Sequence, residues 1–121
     1  MSASAVTIQK TNWRTSQARF VDYINDDGTV TQTPIVLTGA TGYLVSTDPS
    51  GTSYKTAITL GKAEPVDAAA EAIDGYCYAT FKGVAVNGNW SEQFQLVLPS
   101  SSEPLYSDVK KFTVKGNLTP P

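Results

Sequence analysis

The sequence predicts an all-β protein, a single antiparallel β-sandwich with one short helical or loop insert. Apolar residues recur mainly with a period of two, which is typical of half-buried strands. β-branched and aromatic residues dominate these stretches, and turn signals separate them about every ten residues. Seven or so short strands at this spacing favour a sandwich. The length of 121 residues is common for one domain, and we expect the core over about residues 6–115.

The first half of the chain supplies four candidate strands. Residues 5–10 (AVTIQK) suit an edge strand, and residues 18–25 (ARFVDYIN) suit a second strand. Asp27-Gly28 in NDDGT is a pair that type I′ hairpin turns prefer. Residues 41–47 (TGYLVST) and 53–60 (SYKTAITL) follow, separated by a DPSG turn whose proline and glycine stand where a type I turn prefers them.

One segment, Gly61 to Gly75 (GKAEPVDAAAEAIDG), breaks the period-two pattern because it is alanine-rich and acidic. Asp67 is a suitable start for a short helix, and Asp74-Gly75 is a suitable end. The apolar face of such a helix is only alanines plus Ile73. We expect either a helical turn or a surface loop that connects two strands, and an acidic ligand loop is the alternative function.

The second half contains the clearest strand, Trp90 to Leu98 (WSEQFQLVL). Its alternate apolar side chains share one face, and Glu92 is the only polar interruption on that face. Asn87-Gly88 just before it is a hairpin signal. Residues 110–114 (KKFTV) repeat the alternation at shorter length. Residues 116–121 (GNLTPP) contain two prolines and cannot pair as a strand, so we expect a tail that is free or reaches a partner subunit.

Composition excludes several classes of function. The formal net charge of −2 leaves no basic excess, so neither nucleic acid nor a membrane surface is an expected partner. No run approaches the ~20 apolar residues of a membrane span, and the N-terminus lacks the pattern of a secretory signal. Histidine is absent and Cys77 is the only cysteine, so a His-containing zinc site, a Ser-His-Asp triad and an intramolecular disulfide are excluded. We expect Cys77 to be a small buried apolar residue.

Carboxylate groups are the remaining candidates for chemistry. Asp26 and Asp27 adjoin a turn glycine, but a calcium loop needs more oxygen ligands at regular spacing. Asp67, Glu71 and Asp74 could form a second acidic cluster. Nothing in their spacing places two carboxylates across a cleft, as glycosidase chemistry requires. We therefore expect no enzyme activity, no cofactor, and no catalytic, cofactor-binding or metal-binding residues.

Six tyrosines and two tryptophans are many for a chain of this length. Two interpretations stay open: packing in the core or between subunits, and stacking on sugars, as in sandwich-fold carbohydrate-binding modules. Trp90 belongs to the apolar face of its strand and should be core, whereas Trp13 lies in a polar context. The residues predicted to contact a partner are Trp13, Tyr54, Tyr106, Leu118 and Pro120.

The order of these strands and turns resembles a phage family. The motifs that carry the resemblance are, in chain order, Asp26-Asp27-Gly28-Thr29, Leu37-Thr38-Gly39-Ala40-Thr41, Asp48-Pro49-Ser50-Gly51, Gly88-Asn89-Trp90 with the strand to Leu98, and Phe112-Thr113-Val114. The pattern is similar to the N-terminal domain of phage upper baseplate proteins and to small fibre–tail adaptor proteins. Two departures are the length of the Gly61–Gly75 insert and the lack of a fibre or receptor-binding domain after Val114.

The resemblance implies an immunoglobulin-like sandwich that is a non-enzymatic virion structural protein. It would join tail, baseplate or fibre components through protein–protein contacts, in a homo-oligomeric or multi-copy assembly. A decoration or cement protein on the phage head is the alternative, and a carbohydrate-binding module is a third hypothesis. The family has no catalytic residues to transfer. The expected location is the virion, assembled in the host cytoplasm.

Overall fold

A computed structural model describes residues 5–9, 14–82 and 86–115. Of the predicted contact residues, Trp13, Leu118 and Pro120 lie outside the described residues, as does the predicted tail 116–121. The described elements are β1 (Ala5–Gln9), β2 (Arg14–Arg19), β3 (Val21–Asp26), β4 (Thr29–Pro34), β5 (Thr41–Thr47), β6 (Ser53–Ala57), β7 (Thr59–Leu60), α1 (Ala68–Ile73), β8 (Tyr76–Phe81), β9 (Gly88–Val97), β10 (Pro104–Tyr106) and β11 (Lys110–Lys115). They form two sheets and a separate hairpin, which confirms the predicted all-β sandwich class.

The larger sheet is built around β9. Its strand order is β1-β11-β9-β5-β6, and the short strand β10 also pairs with β9, on the side where β11 lies. All of these neighbours are antiparallel except β1 and β11, which are parallel. Along β9 every second residue from Trp90 to Leu96 is buried, which confirms the alternation predicted for this strand. β1 lies at the edge of the sheet, as predicted.

The smaller sheet has the order β2-β8-β7. Two predicted strands are divided where a side chain turns toward the core. Residues 18–25 break at Phe20, which is buried and separates β2 from β3. Residues 53–60 break at Ile58, so that β6 joins the larger sheet and β7 the smaller one. Alternation of residue types does not reveal such a break because both halves keep strand-forming residues.

The hairpin predicted at Asn87-Gly88 is wrong. β8 pairs with β2 and β7 in the smaller sheet, whereas β9 belongs to the larger sheet. The connection between β8 and β9 therefore crosses from one sheet to the other. Gly88 has a φ of +125°, and a Cβ at this position would lie 2.7 Å from Pro49 Cγ. The glycine thus permits the close approach of the turn between β5 and β6.

The alanine-rich insert contains the helix α1, as one of the two alternatives predicted. Asp67 is its N-cap, and the Asp67 carboxylate accepts a hydrogen bond from a backbone N–H in the first turn at 3.3 Å. The prediction that Ile73 belongs to the apolar face of this helix is wrong. Ile73 is exposed, whereas Glu71 and Ala72 are the buried residues of the helix.

Two apolar clusters fill the space between the sheets, one toward each end of β9. Full burial of each large apolar side chain contributes roughly 1.5–3 kcal/mol to folding. The buried members of the first, which we call the Leu44 cluster, are Phe20, Leu37, Ala40, Leu44, Cys77, Ala79, Phe94 and Leu96, and those of the second, the Trp90 cluster, are Phe81, Trp90, Phe112 and Val114. In the Trp90 cluster, aromatic rings pack with centroid distances of 5.6–5.8 Å; the rings are those of Tyr54, Phe81, Trp90 and Phe112.

Cys77 lies in the Leu44 cluster with no exposed surface. Burial raises the pKa of its thiol to about 12. A thiol with so high a pKa is neutral at physiological pH and is neither a nucleophile nor a metal ligand. The prediction that Cys77 is a small buried apolar residue is confirmed.

Candidate functional site

A buried carboxylate, Glu92, separates the two apolar clusters. It lies on the inner face of β9 between Trp90 and Phe94 and is only 3% exposed. Arg14 of β2 approaches from the smaller sheet, with Nε 3.1 Å from Oε2 and Nη2 2.8 Å from Oε1 of Glu92. Ser16, also on β2, donates its hydroxyl to the same carboxylate at 2.8 Å. The two sheets are thus joined by the Glu92 carboxylate on one sheet and three donor groups on the other, two from Arg14 and one from Ser16.

The Arg14 guanidinium also stacks on the core. Its Cζ lies 4.3 Å from the centroid of the Phe112 ring, a distance at which a cation–π attraction acts. Ser46 of β5 stands opposite Glu92 in the strand register, and its buried hydroxyl has no hydrogen-bond partner among the described residues. These polar groups lie together between the two apolar clusters, and we call them the polar belt: Arg14, Ser16, Ser46 and Glu92. Within the described part of the chain, the Glu92 carboxylate accepts hydrogen bonds from Arg14 and Ser16 alone, which assigns it a structural role.

Two further carboxylates are held by loops rather than by a cleft. Glu71 accepts hydrogen bonds from the backbone N–H groups of Lys62, Val66 and Asp67 at 3.1, 2.9 and 3.3 Å. The bonds from Val66 and Lys62 lower the pKa of Glu71, although its burial acts in the opposite direction. Glu71 therefore closes the insert around the start of α1. Neither the insert nor any other part of the described chain groups three or more metal-ligating side chains.

Asp48 likewise holds backbone N–H groups in place, in the turn between β5 and β6. Its Oδ1 accepts from the hydroxyl and N–H of Ser50 at 2.7 and 2.9 Å and from the N–H of Thr52 at 2.9 Å. The Ser50 hydroxyl contributes most to lowering the pKa of Asp48. The Tyr54 hydroxyl donates to Oδ2 at 3.1 Å. The predicted DPSG turn is confirmed by the bond from Gly51 N–H to the Asp48 carbonyl at 3.0 Å.

The two predicted contact residues that the structure describes lie in different surroundings. Tyr54 is half-buried, because its ring packs on Phe81 and Trp90 and its hydroxyl binds Asp48. Tyr106 is 58% exposed on the outer face of the larger sheet. Only Tyr106 is thus accessible to a partner over most of its surface, and the structure does not bring the two residues together.

The most prominent surface feature is the hairpin formed by β3 and β4, residues 21–34, which we call the arm. Its strands pair with each other and with no other strand among the described residues. Asp27 and Gly28 at its tip have φ values of +50° and +81°, as the predicted type I′ turn requires. Tyr23 and Val30 lie on one face of the arm and are 68% and 62% exposed. A lone two-stranded hairpin is only marginally stable in water, so an arm of this kind gains from a partner.

The base of the arm is fixed to the sandwich. Phe20 donates its N–H to the Gly75 carbonyl at 2.8 Å, and the Phe20 carbonyl accepts from Ile35 N–H at 2.9 Å. Gly75 has a φ of +93°, and a Cβ there would lie 2.4 Å from the Phe20 carbonyl oxygen. The glycine that ends α1 therefore also allows the chain to leave the core at Phe20. Sequence patterns do not show that β3 and β4 lack other partners; the one available signal is the polarity of residues 29–34 (TVTQTP), which leaves no apolar face for a core.

A second exposed surface is the outer face of the larger sheet. Tyr43 of β5 and Tyr106 of β10 both stand opposite Gln95 of β9, one on each side. Because adjacent strands are about 4.8 Å apart, the two tyrosines are separated by about 10 Å across the sheet. A cleft of about 420 Å³ is lined by Tyr43, Gln95, Val97 and Pro104, among others, and Tyr106 lies outside this lining. The sequence did not single out Tyr43 or Gln95.

Comparison of the chain with protein-family models finds no match, and comparison with curated proteins finds none either. In the part of the chain that the structure describes, the one helix has six residues and cannot cross a membrane.

We expect Arg14→Met to lower the free energy of unfolding by about 3–5 kcal/mol, because the substitution leaves the buried Glu92 charge without its partner. The matched control is Arg19→Met, which removes an exposed ion pair to Asp74 and should cost less than about 1 kcal/mol. Urea unfolding measures both. The double variant Arg14→Met/Glu92→Met should recover much of the stability that Arg14→Met loses. Equal losses of stability in Arg14→Met and Arg19→Met would contradict the structural role of the belt.

Glu71 should make the protein more stable at neutral than at acidic pH. Since the pKa of Glu71 is lower in the folded protein than its ordinary value of 4.5, its contribution is fully present above that value and disappears as pH falls through the folded pKa. Between neutral pH and about pH 3, the free energy of unfolding measured with urea should therefore decrease less for Glu71→Gln than for the unmodified chain. Glu64→Gln, an exposed change in the same insert, is the control. Identical pH profiles for Glu71→Gln and the unmodified chain would refute this account.

Proposed function

We propose that this protein is a non-enzymatic structural component of a bacteriophage particle, an adaptor that joins tail, baseplate or fibre proteins through its outer surface. The observation that carries the proposal is the arm, a rooted two-stranded hairpin with exposed Tyr23 and Val30. An exposed strand edge can add to a sheet of another protein, and exposed aromatic residues can fill pockets in a partner.

The hydrogen bonds of the carboxylates also support the proposal. The carboxylates Asp48, Glu71 and Glu92 each accept two or more hydrogen bonds within the fold, so their chemistry serves stability. The working part is then the surface, and many copies in a symmetric assembly turn weak contacts into a stable structure. The assignment to a phage particle rests on the resemblance of the turn motifs from Asp26 to Val114. Within the same class, a decoration or cement protein on the head is the alternative location.

The exposed face of the arm gives a direct test. Tyr23→Ser/Val30→Ser should lower the number of copies per particle at least tenfold, as measured by quantitative mass spectrometry of particles purified from the phage that encodes the chain. The double substitution Val66→Ser/Ile73→Ser, which changes two exposed apolar residues of the insert, is the matched control and should have no effect. Equal thermal stability of both variants excludes misfolding. Absence of the unmodified protein from purified particles would overturn the proposal.

A second candidate function, carbohydrate binding, is favoured by one specific observation. Tyr43 and Tyr106 flank Gln95 on the outer face, and Tyr43 and Gln95 line a cleft of about 420 Å³. Two tyrosine rings with an amide between them offer apolar faces and hydrogen bonds to one ligand. Lys55 lies over the Tyr43 ring, with its Nζ 5.6 Å from the centroid, and adds a donor at the edge of this surface.

Carbohydrate binding predicts a response on a glycan array that Tyr43→Ala and Tyr106→Ala each weaken at least tenfold. Tyr23→Ala changes a more exposed tyrosine, on the arm, and should leave the response intact. A protein that binds no glycan on the array removes this candidate and leaves the structural role untouched.

A further inference from the structure

The arm is acidic along its whole length. Residues 21–34 contain Asp22, Asp26 and Asp27 and no lysine or arginine. Asp22 and Asp27 are exposed, and neither forms an ion pair within the described part of the chain. In the register of the arm, Asp22 lies on the face opposite to Tyr23 and Val30, and Asp27 lies at the tip. A surface that matches this acidic side of the arm must be basic.

A surface of that kind exists on the same chain. β11 carries Lys110, Lys111 and Lys115, which are exposed and which we call the lysine strip. Residues 109–115 contain no carboxylate, and Asp108 just before them is the one acidic neighbour in the chain. None of the three lysines forms an ion pair with a described residue. The exposed apolar side chains of Val109 and Tyr106 precede the strip.

We infer that the arm of one copy docks on the lysine strip of a second copy of this chain. The inference rests on the proposed role of the arm as a docking surface and names its partner. Opposite charges bring the acidic side of the arm and the lysine strip together. The second copy thereby supplies the partner that an unsupported two-stranded hairpin lacks.

The positions of the two surfaces favour a reciprocal contact. The start of the arm and the start of β11 line one cleft of about 310 Å³, in which Tyr23 faces the same space as Tyr106 and Lys110. Donor and acceptor surfaces are therefore adjacent on one side of the molecule. A two-fold axis places the same patch of both copies together, so that each arm meets the other copy's strip and two contacts form at once.

Charge reversal tests the contact. Asp22→Lys/Asp27→Lys reverses the arm, and Lys111→Glu/Lys115→Glu reverses the strip. Each variant alone then opposes like charges, and we expect its self-association to weaken at least tenfold in sedimentation equilibrium. An equimolar mixture of the two variants pairs each reversed surface with its complement and should restore association. Ser53→Glu/Lys55→Glu, two exposed positions on β6, is the matched control and should associate like the unmodified chain.

A second measurement keeps the inference falsifiable if a variant folds poorly. A carbodiimide, which joins carboxylates to amines without a spacer, should link arm aspartates to Lys110, Lys111 or Lys115 between isotopically distinct copies of the unmodified protein. Raising the salt concentration from about 50 mM to about 500 mM should reduce that linkage, since exposed charges are screened.

Three results separate this inference from the proposed function. Restored association in the mixture supports the contact, whether or not the chain is found in particles. Association that survives both reversals overturns the contact, even if the chain is abundant in particles. A chain that stays monomeric at millimolar concentration and forms no intermolecular cross-link also overturns it.

Discussion

The structure depends on one buried ion pair. Glu92 lies 3% exposed in the middle of the inner face of β9, and Arg14 and Ser16 reach it from the other sheet. Removing a carboxylate from water is costly unless it is paired and hydrogen-bonded, and here one carboxylate has three donors. Because those donors lie on β2, the charge fixes the position of one sheet relative to the other. The Leu44 cluster packs on one side of it and the Trp90 cluster on the other.

That arrangement determines where function can lie. The inner faces of both sheets are occupied by apolar packing and by the belt, and the acidic residues of the loops hold backbone N–H groups in place. What the fold presents to other molecules is its periphery: the arm, the lysine strip and the tyrosine-lined outer face. The arm is the extreme case, since it has a fixed base at Phe20 and Gly75 but exposes Tyr23 and Val30. The marginal stability of a lone hairpin supports the proposal that a partner completes the arm.

The sequence predicts those parts of the fold that depend on neighbouring residues. The alternation in β9, the turn at Asp27-Gly28 and the capped helix after Asp67 all follow from local pattern and turn chemistry. Glu92 is visible as a polar interruption, but its partner Arg14 is 78 positions away and no pattern links them. The break at Phe20 and the isolation of the arm are tertiary outcomes. Gly88 misled the prediction because an Asn-Gly pair marks a hairpin only when both flanking strands join one sheet.

We infer that the polar belt joins the two apolar clusters into one cooperative unit and leaves the arm outside it. Residue-resolved native-state hydrogen exchange measures this directly, because it gives a free energy of opening for each amide. We expect the amides of Cys77 and Phe94 in the Leu44 cluster and of Phe112 in the Trp90 cluster to open with one common free energy, equal to that of global unfolding. Amides of the arm in the dilute protein should open at much lower free energy. Separate opening of the two clusters, or an arm protected as strongly as the core, would contradict the account.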